Sequence, residues 1–194
     1  MAELQQARII EMLTDIFDEF KIGYAIGGSV ASSIFGTPRF TQDADITALI
    51  SLTIVEKLYE KLNKIFYVSK DAMYAAVRSK SSFNIIHLDT VFKIDIFIPS
   101  SEFENQLICR GSKNKIDESI EKEFSLASPE DVILLKLKWY KAADCISDRQ
   151  WSDVKGVLMV QKQRLDYDYL NTWASKLGLA DLFQKAILEI NSKE

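Results

Sequence analysis

Residues Ile26–Thr47 read IGGSVASSIFGTPRFTQDADIT. Two adjacent glycines, Gly27 and Gly28, follow the short apolar run Tyr24–Ile26 and precede a row of small residues. The apolar run predicts a strand that the glycine pair breaks. Ser29 is a good N-cap for a short helix running through Phe35, and Gly36, Thr37 and Pro38 end it. Ala44–Ile50 then predicts a second strand, with Asp43 and Asp45 at its start. Side chains two apart on a strand share a face, with Cα atoms roughly 6.6 Å apart. Two carboxylates so placed repel, which raises the pKa of one of them. A bound divalent cation removes that penalty, and hard oxygen ligands of this kind suit Mg²⁺ or Mn²⁺.

Each of these features has an ordinary reading. Most Asp-x-Asp pairs are solvated strand ends or turns, and a Gly-Gly pair before serine is often only a tight strand-to-helix turn. Their order is more telling than any one of them. The N–H groups at Gly28, Ser29 and the helix start would face an anion. The acids would bring a cation to that anion. Phosphate and magnesium together are what a nucleoside triphosphate offers.

A third acid stands in a similar setting. In KIDIFI, residues 93–98, Asp95 interrupts an apolar run. Strand alternation puts Lys93, Asp95 and Phe97 on one face and Ile94, Ile96 and Ile98 on the other. The isoleucine face suits a core, so Asp95 would look out on the opposite face. It joins Asp43 and Asp45 if the two strands are neighbours, and otherwise it is an edge residue or a turn partner.

The 194 residues suffice for one sizeable domain or a domain with a helical appendage. A net charge of −4 argues against a general electrostatic grip on nucleic acid. The single histidine, His87, excludes a zinc site built on several histidines. Cys109 and Cys145 have no CxxC spacing, which suggests free thiols in a reducing cytoplasm. The N-terminal stretch reads as an amphipathic helix, about Ala2 to Lys21, with Ile10, Leu13, Phe17 and Phe20 on one face, and not as a targeting segment. No apolar run approaches the ~20 residues that a membrane span needs.

Further along, Thr53–Lys64 reads as helical. Tyr74–Val77, Ser82–Leu88 and Phe92–Ile98 are rich in β-branched and aromatic residues, and Asp89-Thr90-Val91 suggests a hairpin between the last two. Leu107–Arg110 and Lys113–Ile116, around Gly111, suggest a second hairpin. From SPEDVILLKLKWY onward the pattern is helical, with Ser128 as N-cap, Pro129 at the first helical position, and acids in the first turn. Helices follow over roughly Asp148–Gln161, Tyr167–Leu177 and Ala180–Ile190, and Trp139, Trp151 and Trp173 suit a helical core. A soft boundary near Ser125 divides residues 1–125 from a helical part, 126–194, that would pack on them.

The segments GGSVASSIFGTPRFTQDADI and FKIDIF resemble the nucleotidyltransferase superfamily that includes DNA polymerase beta. Within it the chain is similar to small prokaryotic nucleotidyltransferase-like proteins of the minimal nucleotidyltransferase and abortive-infection toxin–antitoxin group. SPEDVILLKLKWY and SDRQWSDVKGVL resemble helical segments that follow the core in some of these proteins. The resemblance implies an α+β fold, a short mixed sheet flanked by helices, with a helical C-terminal extension. It implies that Gly27, Gly28 and Ser29 hold the β- and γ-phosphates, that Asp43 and Asp45 bind metal, and that Asp95 completes the metal site and helps activate the attacking hydroxyl. It further implies transfer of a nucleoside monophosphate from a nucleoside triphosphate to a hydroxyl of a protein, an RNA 3′ end or a small molecule. The alternative is a toxin–antitoxin component or nucleotide-binding module that acts mainly by binding a partner protein.

Other residues carry weaker signals. Arg39 can pair with phosphate or be a surface arginine. Lys136, among apolar neighbours, can point toward phosphate or snorkel to water. Thr41 can cap the metal site or merely start the strand. Asp131 and Asp153 read as helix acids that stabilise dipoles or pair with Lys and Arg. His87 reads as structural, on the sheet face beside the site. The cysteines lack the base and orienter that a nucleophile needs.

Overall fold

The computed structural model describes residues 2–192. The chain folds as two compact units. One holds residues up to Gly27 together with Phe40–Ala127, and the other holds Gly28–Arg39 and Ser128 onward. The C-terminal helical stretch thus begins two residues after the start expected at residue 126. The unit also takes in the short segment Gly28–Arg39.

Among the described residues the first unit carries all the strands: β1 (Tyr24–Ile26), β2 (Asp43–Ala48), β3 (Phe66–Tyr67), β4 (Ser82–His87), β5 (Lys93–Phe97), β6 (Ser112–Asn114) and β7 (Phe124–Leu126). They form one mixed sheet in the order β3-β4-β5-β2-β1-β7-β6. β2 runs antiparallel to β1 and parallel to β5, while β4 and β5 form the expected antiparallel hairpin. Among the described residues the helices of this unit are α1 (Ala2–Glu19), α3 (Val55–Leu62), α4 (Lys70–Ser79) and α5 (Glu102–Cys109). Alternation along the central strands explains the burial. Ala44, Ile46, Ile85, Ile94 and Ile96 are fully buried on one face, and the polar residues between them fall on the other.

Two expectations fail in this unit. Tyr74–Val77 is helical, inside α4, because Ser69 caps the helix by accepting from the Ala72 amide and Lys80 closes it in the left-handed region. Met73 and Ala76 supply its buried face. Leu107–Arg110 is no hairpin arm. Residues up to Cys109 form α5, capped by Ser101, and β6 pairs instead with β7.

The second unit is helical: α2 (Gly28–Phe35), α6 (Pro129–Ala142), α7 (Asp148–Gln161), α8 (Tyr167–Lys176) and α9 (Ala180–Asn191). Ser128 accepts from the Asp131 amide as the N-cap of α6, with Pro129 next to it. α2 packs closely on α7. A Cβ at Gly36 would lie 2.7 Å from the Val157 amide nitrogen, so glycine is what permits this approach. Gln161 seals the contact by donating to the Phe35 carbonyl at 2.8 Å. Trp151 and Trp173 are buried as expected, but Trp139 is 51% exposed.

Candidate active site

In the strand unit the β2–β5 register decides the geometry. Asp45 stands directly opposite Asp95, and Asp43 opposite Lys93. Neighbouring strands lie about 4.8 Å apart. Asp43, Asp45 and Asp95 therefore share one face, opposite the fully buried Ala44, Ile46, Ile94 and Ile96. All three are half-buried. Gly27 donates its N–H to the Asp45 carbonyl at 2.8 Å, which fixes the end of β1 beside the acids. That bond also spends the Gly27 donor, so Gly27 offers closeness of backbone and not a hydrogen bond.

The carboxylates are held by neighbours. Thr41 is buried and donates to Asp43 Oδ1 at 3.0 Å, so it touches the site and does not merely start the strand. Lys93 Nζ lies 2.7 Å from Asp95 Oδ2. This hydrogen bond raises the Lys93 pKa, with the charges of Asp95, Asp43 and Asp45 adding to it and partial desolvation opposing it. As the side chains lie, no three His, Cys, Asp or Glu groups among the described residues converge as a cation would require. The register does put three carboxylates on one face of adjacent strands, the hard-oxygen donor set that could hold a divalent ion.

In the helical unit, Gly28 opens α2 with φ +55°, a left-handed conformation that favours glycine. Ser29 lies inside the helix and not at its cap. Its Oγ accepts from Arg39 Nη2 at 2.7 Å and from Arg149 Nη2 at 3.3 Å. Arg39 is not a loose surface arginine. It grips Asp153 with two parallel bonds, Nε to Oδ1 and Nη2 to Oδ2, both 2.8 Å. Lys136 does not snorkel. Its side chain is 5% exposed and its Nζ lies 2.7 Å from Asp153 Oδ2. Burial alone would raise the Asp153 pKa, but the bonds and charges from Arg39 and Lys136 outweigh it and hold the carboxyl below its usual range. The sequence did not single out Arg149; Asp153, read as a helix acid that stabilises a dipole or pairs with Lys and Arg, does pair with Lys136 and Arg39.

Several candidates fall elsewhere. His87 shares a face with the buried Phe83 and Ile85, which pair with Ile96 and Ile94, so it lies opposite the acids and not beside them. Its Nδ1 pairs with Thr90 Oγ1 at 3.0 Å in the hairpin turn. Asp131 is fully buried and accepts from the Ser128 hydroxyl and, at 2.7 Å, from the Tyr169 hydroxyl, a structural role in α6. Cys109 and Cys145 are free, exposed thiols. No helix among the described residues is long and apolar enough to cross a membrane.

No protein-family model matches the chain, and no curated protein does. Solved structures do. The antibiotic-resistance factor ANT(2'')-Ia, in its solution structure, superposes with a TM-score of 0.55 over 98% of this chain and 97% of its own, at 13% identity. In complex with adenylyl-2''-tobramycin, the same protein gives 0.55 over 89% and 97%, at 12% identity. The chain has the nucleotidyltransferase fold. An antigenic nucleotidyltransferase-like protein from Paracoccidioides brasiliensis gives 0.53 at 14% identity, over 81% of this chain and 75% of its own. The lincosamide antibiotic adenylyltransferase LnuA, lincomycin-bound, gives 0.50 at 14% identity, over 78% and 95%. Within this nucleotidyltransferase fold the chain crosses from the strand unit to the helical unit at Gly27–Gly28 and returns at Arg39–Phe40. Both crossings fall in the stretch that carries the sequence signature.

Proposed function

We propose that the protein is an enzyme that transfers a nucleoside monophosphate from a nucleoside triphosphate to a hydroxyl acceptor. The Asp45–Asp95 register carries this reading, because it gathers three carboxylates separated in sequence onto one strand face. Asp43, Asp45 and Asp95 would hold Mg²⁺ or Mn²⁺. When bound, the metal supplies charge stabilisation at the attacking and leaving oxygens.

The chain's own groups take the remaining roles. The N–H groups of Gly28 and Ser29, in the first turn of α2, have no partner within the helix and suit the β- and γ-phosphates. Gly27 keeps the backbone close to them. Arg39, Lys136 and Arg149 supply positive charge here: Arg39 and Lys136 bond Asp153, and Arg39 and Arg149 donate to the Ser29 hydroxyl. The acceptor oxygen bonds to the α-phosphorus as the bond to the bridging oxygen of the β-phosphate breaks. Pyrophosphate leaves, and the hydroxyl proton passes to Asp95.

For the acceptor, we propose a small hydroxyl compound first. Two of the structural neighbours hold or are named for such ligands, adenylyl-2''-tobramycin and lincomycin. The test is transfer of label from α-phosphate-labelled triphosphates to tobramycin, lincomycin, RNA 3′ ends and protein, with Mg²⁺ or Mn²⁺ present. Labelled acceptor and stoichiometric pyrophosphate, both absent with Asp45→Asn, support the reading. Failure of wild-type protein to bind any triphosphate with either metal would sink it.

A further inference from the structure

The acid strip of β2 and β5 contains a cation of its own. Lys93 stands opposite Asp43 in the register and two residues before Asp95 on the same face. Its Nζ sits 2.7 Å from Asp95 Oδ2, with the Lys93 side chain 42% exposed and that of Asp95 24% exposed. Asp43 is held differently, through the Thr41 hydroxyl on Oδ1 at 3.0 Å. The two contacts have different consequences for an incoming dication. A neutral hydroxyl on one carboxylate oxygen leaves the other oxygen free to ligate, and no charge opposes the ion. An ammonium at hydrogen-bond distance from a ligand oxygen would stand beside the dication and be repelled by it. It is driven off Oδ2 when that oxygen ligates.

We infer that Lys93 is the resident counter-cation of the acid strip, and that a divalent ion enters by displacing its ammonium from Asp95. Lys93 thereby sets the metal affinity of the nucleotide-free protein. It is a positioning residue, acting through Asp95 and not on the reacting atoms. Its side chain is partly exposed, so the released ammonium has water to move into at little desolvation cost. The inference rests on the metal-dependent reading above.

The test is Mn²⁺ binding to nucleotide-free protein, followed by loss of the free-ion electron paramagnetic resonance signal. Lys93→Met keeps most of the stem and removes the charge, and it is expected to bind Mn²⁺ about tenfold tighter than wild type. Lys93→Arg restores the charge and is expected to return affinity to within about twofold of wild type. Asp45→Asn is expected to lose binding. Equal affinity in wild type and Lys93→Met overturns the inference and leaves the metal site standing. No Mn²⁺ binding by any of these proteins overturns the metal reading and the inference with it. A second measurement needs no folded Met variant. The carbon-13 signal of Lys93 Cε, assigned by its loss in Lys93→Arg, is followed in wild type as Mg²⁺ is added. It moves if the ammonium leaves Asp95, and a signal unmoved at saturating Mg²⁺ overturns the inference.

Discussion

Asp153→Asn is the most incisive perturbation of the helical unit. The carboxylate accepts two bonds from Arg39 at 2.8 Å and contacts Lys136 Nζ at 2.7 Å, and its own side chain is 7% exposed. Asparagine keeps the volume but removes the charge, and one of its two terminal atoms becomes a donor facing cations. Lys136, at 5% exposure, then loses the Asp153 charge beside its buried ammonium, while Arg39, at 26%, still reaches water. Removing one partner of a buried pair costs about 3–5 kcal/mol, chiefly from the charge left behind. For a chain of this length, a loss of that size lowers Tm on the order of 10 °C. The assay is urea unfolding followed by tryptophan fluorescence, since the buried Trp151 and Trp173 lie in the same unit. The double variant Asp153→Asn, Lys136→Met removes the buried ammonium that faced Asp153 and is expected to regain part of the loss. The pH dependence has a definite sign. The folded pKa of Asp153 lies below its unfolded value, so its contribution is complete above the ordinary carboxyl pKa and fades as pH falls through the folded pKa. The difference between wild type and variant is therefore expected to shrink in acid. A loss below about 1 kcal/mol, or a double variant no more stable than the single one, refutes the assignment of Asp153 as the anchor of two cations.

The remaining predictions concern the site and its supports. Asp95→Asn is expected to lower kcat by about a hundred- to ten-thousandfold with little change in triphosphate KM, in the label-transfer assay. Removing divalent ions with a chelator is expected to abolish transfer, and readdition of Mg²⁺ or Mn²⁺ to restore it. Gly28→Ala forces a side chain into the left-handed region and is expected to cost about 1–2 kcal/mol in unfolding and to weaken triphosphate binding measured by calorimetry. Gly36→Ala drives a Cβ to 2.7 Å from the Val157 amide nitrogen and is expected to cost about 1–3 kcal/mol in thermal unfolding.

Local signals in the chain were legible where they are strong. The strand before Gly27, the break at the glycines, the helix to Phe35 and the acids heading β2 all appear in Ile26–Thr47. Ser128 and Pro129 announced α6, because a cap and a proline act on the first turn alone. Weak or composition-based signals misled. Tyr74–Val77 carries strand-forming side chains, yet the Ser69 cap and the buried Met73 and Ala76 make it helix. Ser29 has the chemistry of an N-cap, but Gly28 begins the helix and the Ser29 hydroxyl goes to arginines.

Alternation in KIDIFI showed that Asp95 faces away from the isoleucines, but not which strand lies beside it. The parallel register of β5 on β2 set Asp95 against Asp45, with 49 intervening residues folded out of the way. Arg39 and Asp153 are 114 positions apart, and no periodicity in either segment signals their pairing. Periodicity and capping report interactions within a few residues, where the backbone itself fixes the geometry. Charges this far apart in the chain meet only when packing brings them together, and burial then makes the pairing obligatory.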